Sequence, residues 1–226
     1  MVFVQRAHAT QLAMSKLVIR RDTLPEKLRL VAGVDVAYSE KSSIAAATVL
    51  NYDSLSLAET RTAQTVTKLP YIPTLLSFRE MPPAIAAVKK LRLQPDVFIV
   101  DGQGLMHPYR LGFASHLGLV MNRPTVGVAK NPLTGDVGSF NKSGWAPVID
   151  RQEVIGAALL TRKGARPVYV SIGHMVSLKR AIEVVKHCSP KYRIPEPIRL
   201  AHDEATKEKR KIKKGRSLKR NAGAKS

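Results

Sequence analysis

"PDVFIVDG", residues 95–102, decides the fold. Four apolar residues, Val97 to Val100, follow one another without interruption, and Asp101 and Gly102 close the run. An apolar run this short predicts a strand covered on both faces, the position of a central strand with parallel neighbours. Open α/β sheets place their ligands at the carboxyl ends of such strands, and Asp101 stands at that end.

Upstream, "RLVAGVDVAYS" (29–39) predicts a strand with Leu30, Ala32, Val34 and Val36 on one face and Asp35 on the other. "SIAAATVLNY" and "LSLAETRTAQTV" predict two more, joined by a turn at 51–54, so the three form an antiparallel meander. Residues 3–20 predict a helix with Val4, Ala13, Leu17 and Ile19 on its apolar stripe. Pro82-Pro83 before "AIAAVKKLRL" predicts a helix with proline at its first positions.

Downstream, "YRLGFASHLGLVM" predicts a helix with Leu111, Ala114, Leu117 and Met121 near helical spacing, and "RPTVGVAK" a second buried strand. "VIGAALLTR" and "RPVYVSIG" read as a hairpin around Lys163-Gly164. "VSLKRAIEVVKHC" reads as a helix capped by Ser177. "SPKYRIPEPIR" is a proline-rich connector, and "AHDEATKEKRKIKK" a last helix fraying into a tail. The expected architecture is one α/β domain, a mixed sheet with helices on both faces.

Charge narrows the function. The chain has 37 Lys+Arg against 17 Asp+Glu, a formal +20. Residues 207–226 hold ten Lys/Arg and one acid, Glu208, so +9 lies there and +11 on the rest. A basic tail alone is a solvated arm, whereas a basic body as well favours nucleic acid as the partner. No apolar run reaches the ~18 residues of a membrane span, so no membrane partner is expected. The first twenty residues carry Arg6, Lys16 and Arg20 and no acid, like a transit peptide, but they nearly lack serine and read instead as the start of the domain. Cys188 is the only cysteine, which excludes an intrachain disulfide and fits a reducing, cytoplasmic setting. The chain lacks GxxxxGK[ST], CxxC, HExxH and GxSxG patterns, against an NTPase, a classical zinc site or a hydrolase elbow.

Asp35 and Asp101 each stand in or at the end of a strand expected to be central. A carboxylate there is costly unless paired or bound to a cation. Each could simply cap a loop. Together with Glu80, in so cationic a chain, they point to a divalent-metal site acting on phosphates, with oxygen ligands selecting Mg²⁺ or Mn²⁺. His202, beside Asp203 and Glu204, is either solvated or folded back over the sheet. Lys130 is either a surface lysine or a cation near developing phosphorane charge. "LPYIPTLLSFREMPP" (69–83) sets Tyr71 and Ile72 between two prolines, a stiff apolar tip seven residues from Glu80. It could be no more than an exposed turn.

These stretches, with "VAGVDVAYS", "VDGQGLMHPYRLGFASHLGL", "PTVGVAKNPLTG", "VYVSIGHMVSL" and "RIPEPIRLAH", run in order from about residue 10 to 205, and the chain resembles the endonuclease V (deoxyinosine 3′ endonuclease) family. The resemblance implies a ribonuclease-H-like catalytic domain over 1–206, with 207–226 a flexible basic tail outside it. It implies Asp35, Glu80 and Asp101 as the active-site acids, with Asp35 and Asp101 the main ligands of Mg²⁺, for which Mn²⁺ substitutes. His202 and Lys130 match further active-site positions. Pro70, Tyr71, Ile72 and Pro73 match a wedge that enters DNA where the damaged base leaves the stack. Gly102, Gly104 and His107 match the loop that receives the everted base.

The implied reaction is hydrolysis of the second phosphodiester 3′ to deoxyinosine, leaving 3′-hydroxyl and 5′-phosphate ends. A monomer acting on DNA with deoxyinosine or other deaminated bases is expected. The rival readings are an endoribonuclease on inosine in single-stranded RNA and a non-catalytic nucleic-acid binder. Four positions depart from the family pattern. Thr74 stands for the glycine after the wedge, Gln103 for a histidine, and Tyr109 and Met175 for arginines.

Overall fold

The computed structural model describes residues 2–39 and 41–223, and side chains as far as 213. Nine strands form one sheet in the order β3-β2-β1-β4-β5-β9-β8-β7-β6. β1 (Leu30–Tyr38), β2 (Ser42–Asn51) and β3 (Leu57–Val66) are the antiparallel meander. β4 (Val97–Asp101) lies at the centre, parallel to β1 on one side and to β5 (Thr125–Ala129) on the other. That placement explains its composition, because both of its faces are covered. Phe98 and Val100 join one core with Ala32 and Val34, while Val97 and Ile99 join another with Val31 and Val126. This is a ribonuclease-H-like sheet, extended by β9 (Val168–His174), β8 (Glu153–Leu159), β7 (Trp145–Asp150) and β6 (Asp136–Val137).

Helices cover both faces. α2 (Leu76–Val88) and α3 (Phe113–Met121) pack through Met81, Ala84, Ala114 and Leu117 on the face carrying Val34 and Val100. α4 (Leu178–His187) and α5 (Glu196–Gly223) pack on the other, through Val184 and Ile198. Ser177 caps α4 as expected, its hydroxyl accepting from the Arg180 N–H. α5 lies so close to β1 that a Cβ on Gly33 would stand 2.0 Å from the Pro197 carbonyl oxygen. Glycine at 33 is therefore a packing requirement.

Several boundaries differ from expectation. α2 begins at Leu76, so Pro82 and Pro83 sit in its interior and forgo two backbone hydrogen bonds. α1 (Val2–Ser15) ends short of 20 and buries Ala7 and Gln11; Ala13 and Leu17 are exposed. α3 begins at Phe113, because Arg110 has φ +54° and Gly112 is extended, and Leu111 is buried ahead of the helix. The sequence pattern marks neither β6, which is only two residues long, nor β7, where Pro147 interrupts "WAPVID". α5 starts inside the expected connector and runs on through the basic segment as far as Gly223. Of that segment, the side chains from 214 and residues 224–226 lie outside the described residues.

Candidate active site

The carboxylates meet at the carboxyl ends of the parallel strands. Val34 pairs with Val100 in register, so Asp35 and Asp101 follow side by side on the face that α5 covers. Asp101 pairs with Val128 on β5, and Lys130 lies two residues on, on that same face and exposed. α5 brings His202, whose Nδ1 is 2.8 Å from Asp35 Oδ2. Asp35 Oδ1 accepts from the Val36 N–H at 2.7 Å. Glu80 comes from the opposite face, on α2, and is buried.

Tyr38, which sequence reasoning missed, donates its hydroxyl to Glu80 Oε1 at 2.8 Å. The Arg79 guanidinium lies over the Tyr38 ring, 4.1 Å from its centroid. The signal was present: Tyr38 ends the strand that carries Asp35, and Arg79 precedes Glu80.

Electrostatics ties these groups together. Burial pushes the Glu80 carboxyl up to about 8, and the nearby Asp35 and Asp101 charges add to it, against the Tyr38 hydrogen bond and Arg79. Asp101 is pushed up to about 6 by burial first and then by Asp35, while Lys130 and His202 act the other way. So Asp35 and Asp101 stand within reach of Glu80 on one side and of His202 and Lys130 on the other. Glu80 Oε2 is buried without a hydrogen-bond partner. A buried, unpartnered carboxylate oxygen beside two more carboxylates fits a hard divalent cation. Among the described residues no three His, Cys, Asp or Glu side chains stand together closely enough to hold a metal ion by themselves.

The tip at 70–73 lies between β3 and α2, with Tyr71 66% exposed. Leu75 N–H bonds back to the Ile72 carbonyl at 3.0 Å and closes the turn. The loop after Asp101 is tightly packed. A Cβ on Gly104 would meet the Ile172 carbonyl oxygen at 2.1 Å, so this glycine is required by the approach to β9. Gly104 N–H donates to Ser171 Oγ and its carbonyl accepts from Gly112. Gly102 is half-buried, and its N–H bonds to the Val128 carbonyl. His107 is buried and both its ring nitrogens are engaged: Nε2 lies 3.0 Å from the Thr74 carbonyl and Nδ1 accepts from the Tyr109 N–H at 3.2 Å. Burial pushes its pKa down to about 4, so the ring is neutral with its proton on Nε2. It shapes the loop and has no free nitrogen to offer a base.

Carboxylates gathered at the carboxyl ends of parallel strands, under a helix that delivers a histidine, define a nuclease-type site on a ribonuclease-H-like sheet. Residues 12–203 match the family model of Endonuclease V. Over 204 residues the chain is 48% identical to the Endonuclease V of Thermofilum pendens, covering 90% of this chain and 88% of that one. The crystal structure of the Endonuclease V of Streptomyces avermitilis superimposes with a TM-score of 0.85 at 37% identity, covering 92% and 94% of the two chains. That of Ciona intestinalis Endonuclease V, in complex with a 24mer DNA containing an inosine followed by a ribo-adenosine, gives 0.83 at 30% identity and covers 94% and 100%. The chain belongs to the Endonuclease V family of nucleases.

Proposed function

We propose that this protein is a Mg²⁺-dependent repair endonuclease that cuts the second phosphodiester 3′ to deoxyinosine. The observation that carries the reading is the buried, unpartnered Glu80 Oε2 on a carboxyl within electrostatic reach of Asp35 and Asp101 at the strand ends. Asp35 and Asp101 would hold the cation, with Glu80 beside them. Bound there, Mg²⁺ or Mn²⁺ would polarise the scissile phosphate and ease deprotonation of the attacking water.

The chain's own groups do the rest. Lys130, exposed beside Asp101, places a positive charge where the phosphate charge grows. His202 is fixed through Nδ1 by Asp35, and its Nε2 has no partner among the described residues, so it can meet the phosphate or the leaving oxygen. The water oxygen bonds to phosphorus, the P–O3′ bond breaks, and the 3′ oxygen takes up a proton. Tyr71 fills the gap left by the everted base, and the flanking prolines reduce the entropy lost on ordering the tip. Residues 207–226 act as a basic arm that adds non-specific attraction to the phosphate backbone.

End-labelled strands carrying one deoxyinosine, one inosine in RNA, or deoxyinosine followed by a ribonucleotide test the reading with Mg²⁺ present. The mixed strand is included because the Ciona relative is bound to DNA of that kind. A single nick one nucleotide beyond the lesion in DNA supports the repair activity. Cutting confined to RNA moves the protein to RNA metabolism, and binding without cutting of any strand ends the catalytic reading.

A further inference from the structure

Two of the four departures from the family pattern, Thr74 and Tyr109, meet at one residue outside every motif, His8 of α1. Thr74 has φ +70°, a left-handed conformation that β-branched residues avoid and glycine adopts freely. The hydroxyl that glycine lacks is engaged twice: Thr74 Oγ1 donates to the Pro73 carbonyl at 2.5 Å and lies 2.9 Å from His8 Nε2. With its own proton directed to Pro73, Oγ1 accepts from His8. A relay of hydrogen bonds thus runs from α1 through Thr74 into the backbone of the tip.

The Thr74 carbonyl is held as well, by Gln11 Nε2 at 2.9 Å and His107 Nε2 at 3.0 Å. Gln11 is fully buried and also donates to the Leu111 carbonyl. The His8 ring stacks on Tyr109, with centroids 4.0 Å apart and planes at 18°. Helix α1 therefore grips the base of the tip and the loop after Asp101 at once.

We propose that His8 and Thr74 form a latch that positions the Tyr71 tip against the loop containing His107, and so sets how well the enzyme separates an inosine-containing strand from an undamaged one. This rests on reading Tyr71 as the wedge. A residue free to leave the left-handed region would let the tip swing, whereas the latch fixes it before DNA arrives, which lowers the ordering cost of insertion.

Hydrogen exchange on the free protein and the ratio of cleavage rates on deoxyinosine and undamaged strands test it together. His8→Phe keeps the stack and loses the hydrogen bond. Thr74→Val keeps the branched shape and loses the hydroxyl, and Thr74→Ser restores it. In His8→Phe and Thr74→Val, protection of the Leu75 amide, which bonds to the Ile72 carbonyl and closes the tip, is expected to fall about tenfold. The cleavage ratio should fall by about the same factor, Thr74→Ser should keep both, and the double variant should be no worse than either single one. Protection within twofold of wild type in both His8→Phe and Thr74→Val overturns the latch. A wild-type protein that cuts no inosine strand defeats the reading of the wedge, while the exchange comparison still decides whether α1 holds the tip.

Discussion

The carboxylate cluster and the tip lie close along the chain, six residues apart from Thr74 to Glu80, but are made rigid by different means. Asp35 and Asp101 sit on adjacent central strands whose register is set by ladder pairing and two buried cores. Their placement is a by-product of strands paired on both edges and covered on both faces. The tip has no ladder. It is held by one closing turn, by the His107 ring and by side chains of a helix that buries only Ala7 and Gln11. Chemistry is thus mounted on the sheet, and recognition on a contact that can be loosened without unfolding the sheet.

The largest expected effect tests the rigid half. Asp101→Asn keeps shape and removes the charge between Asp35 and Lys130. Cleavage should fall by about a thousandfold or more, while affinity for a deoxyinosine strand stays within a few fold. A variant that keeps cutting would remove Asp101 from the site. Binding lost in step with cleavage would mean that the cluster recognises DNA and does not cut it.

Glu80→Gln should divide activity from stability. In the folded protein the carboxyl lies near 8, against an ordinary value of 4.5. The folded state thus keeps a proton that the unfolded chain releases. The associated stability is full below about pH 4.5 and is lost as pH rises through about 8 in metal-free protein. Glutamine removes that loss, on the order of 3–5 kcal/mol. Thermal melts in chelator should show the variant ahead by roughly 10 °C at pH 8.5 and level with wild type at pH 4.5, with cleavage abolished. Added Mg²⁺ should raise the melting temperature of wild type more than that of the variant. Equal melting at both pH values would mean that Glu80 is not held in a costly environment.

This contrast also explains what was legible in the sequence. The uninterrupted run Val97 to Val100, the alternation around Asp35 and the strand before Lys130 reflect burial on a sheet, a periodic constraint that leaves a periodic trace. Where polar residues do the holding, the trace misleads. Gln11 is fully buried because two carbonyls need its amide, and a stripe sought among apolar residues therefore fell on exposed Ala13 and Leu17. Pro82 and Pro83 resemble a helix start, yet α2 absorbs them because Met81, Pro83 and Ala84 are buried against the sheet. Tyr38 and His8 act through single hydrogen bonds to residues far along the chain, and no spacing rule records those.

Tyr71→Ala tests the softer half. With the ring 66% exposed, the melting temperature should hardly move. Loss of the aromatic filler should reduce deoxyinosine cleavage by about 10- to 100-fold, through weaker eversion of the base. A fluorescent base analogue beside the lesion would read eversion directly. Unchanged fluorescence with slowed cutting would place Tyr71 in the chemistry of the rigid half.

Tyr38→Phe carries the smallest effect, because it removes one hydroxyl at the seam between the halves. Glu80 Oε1 loses its donor while Oε2 already lacks one, so both oxygens of a buried carboxyl stand bare. Removing a donor from a buried acceptor costs about 1–3 kcal/mol, and protonation of Glu80 offsets part of that in metal-free protein. The expected outcome is a modest loss of stability and a several-fold higher Mg²⁺ concentration at half-maximal cleavage, since a freer Glu80 must be ordered on binding. Titrating Mg²⁺ against cleavage and against melting temperature separates the two. A shift in both means that Tyr38 positions Glu80 for the cation. A shift in stability alone makes the tyrosine a packing residue, and only the strands then prepare the carboxylates for their work.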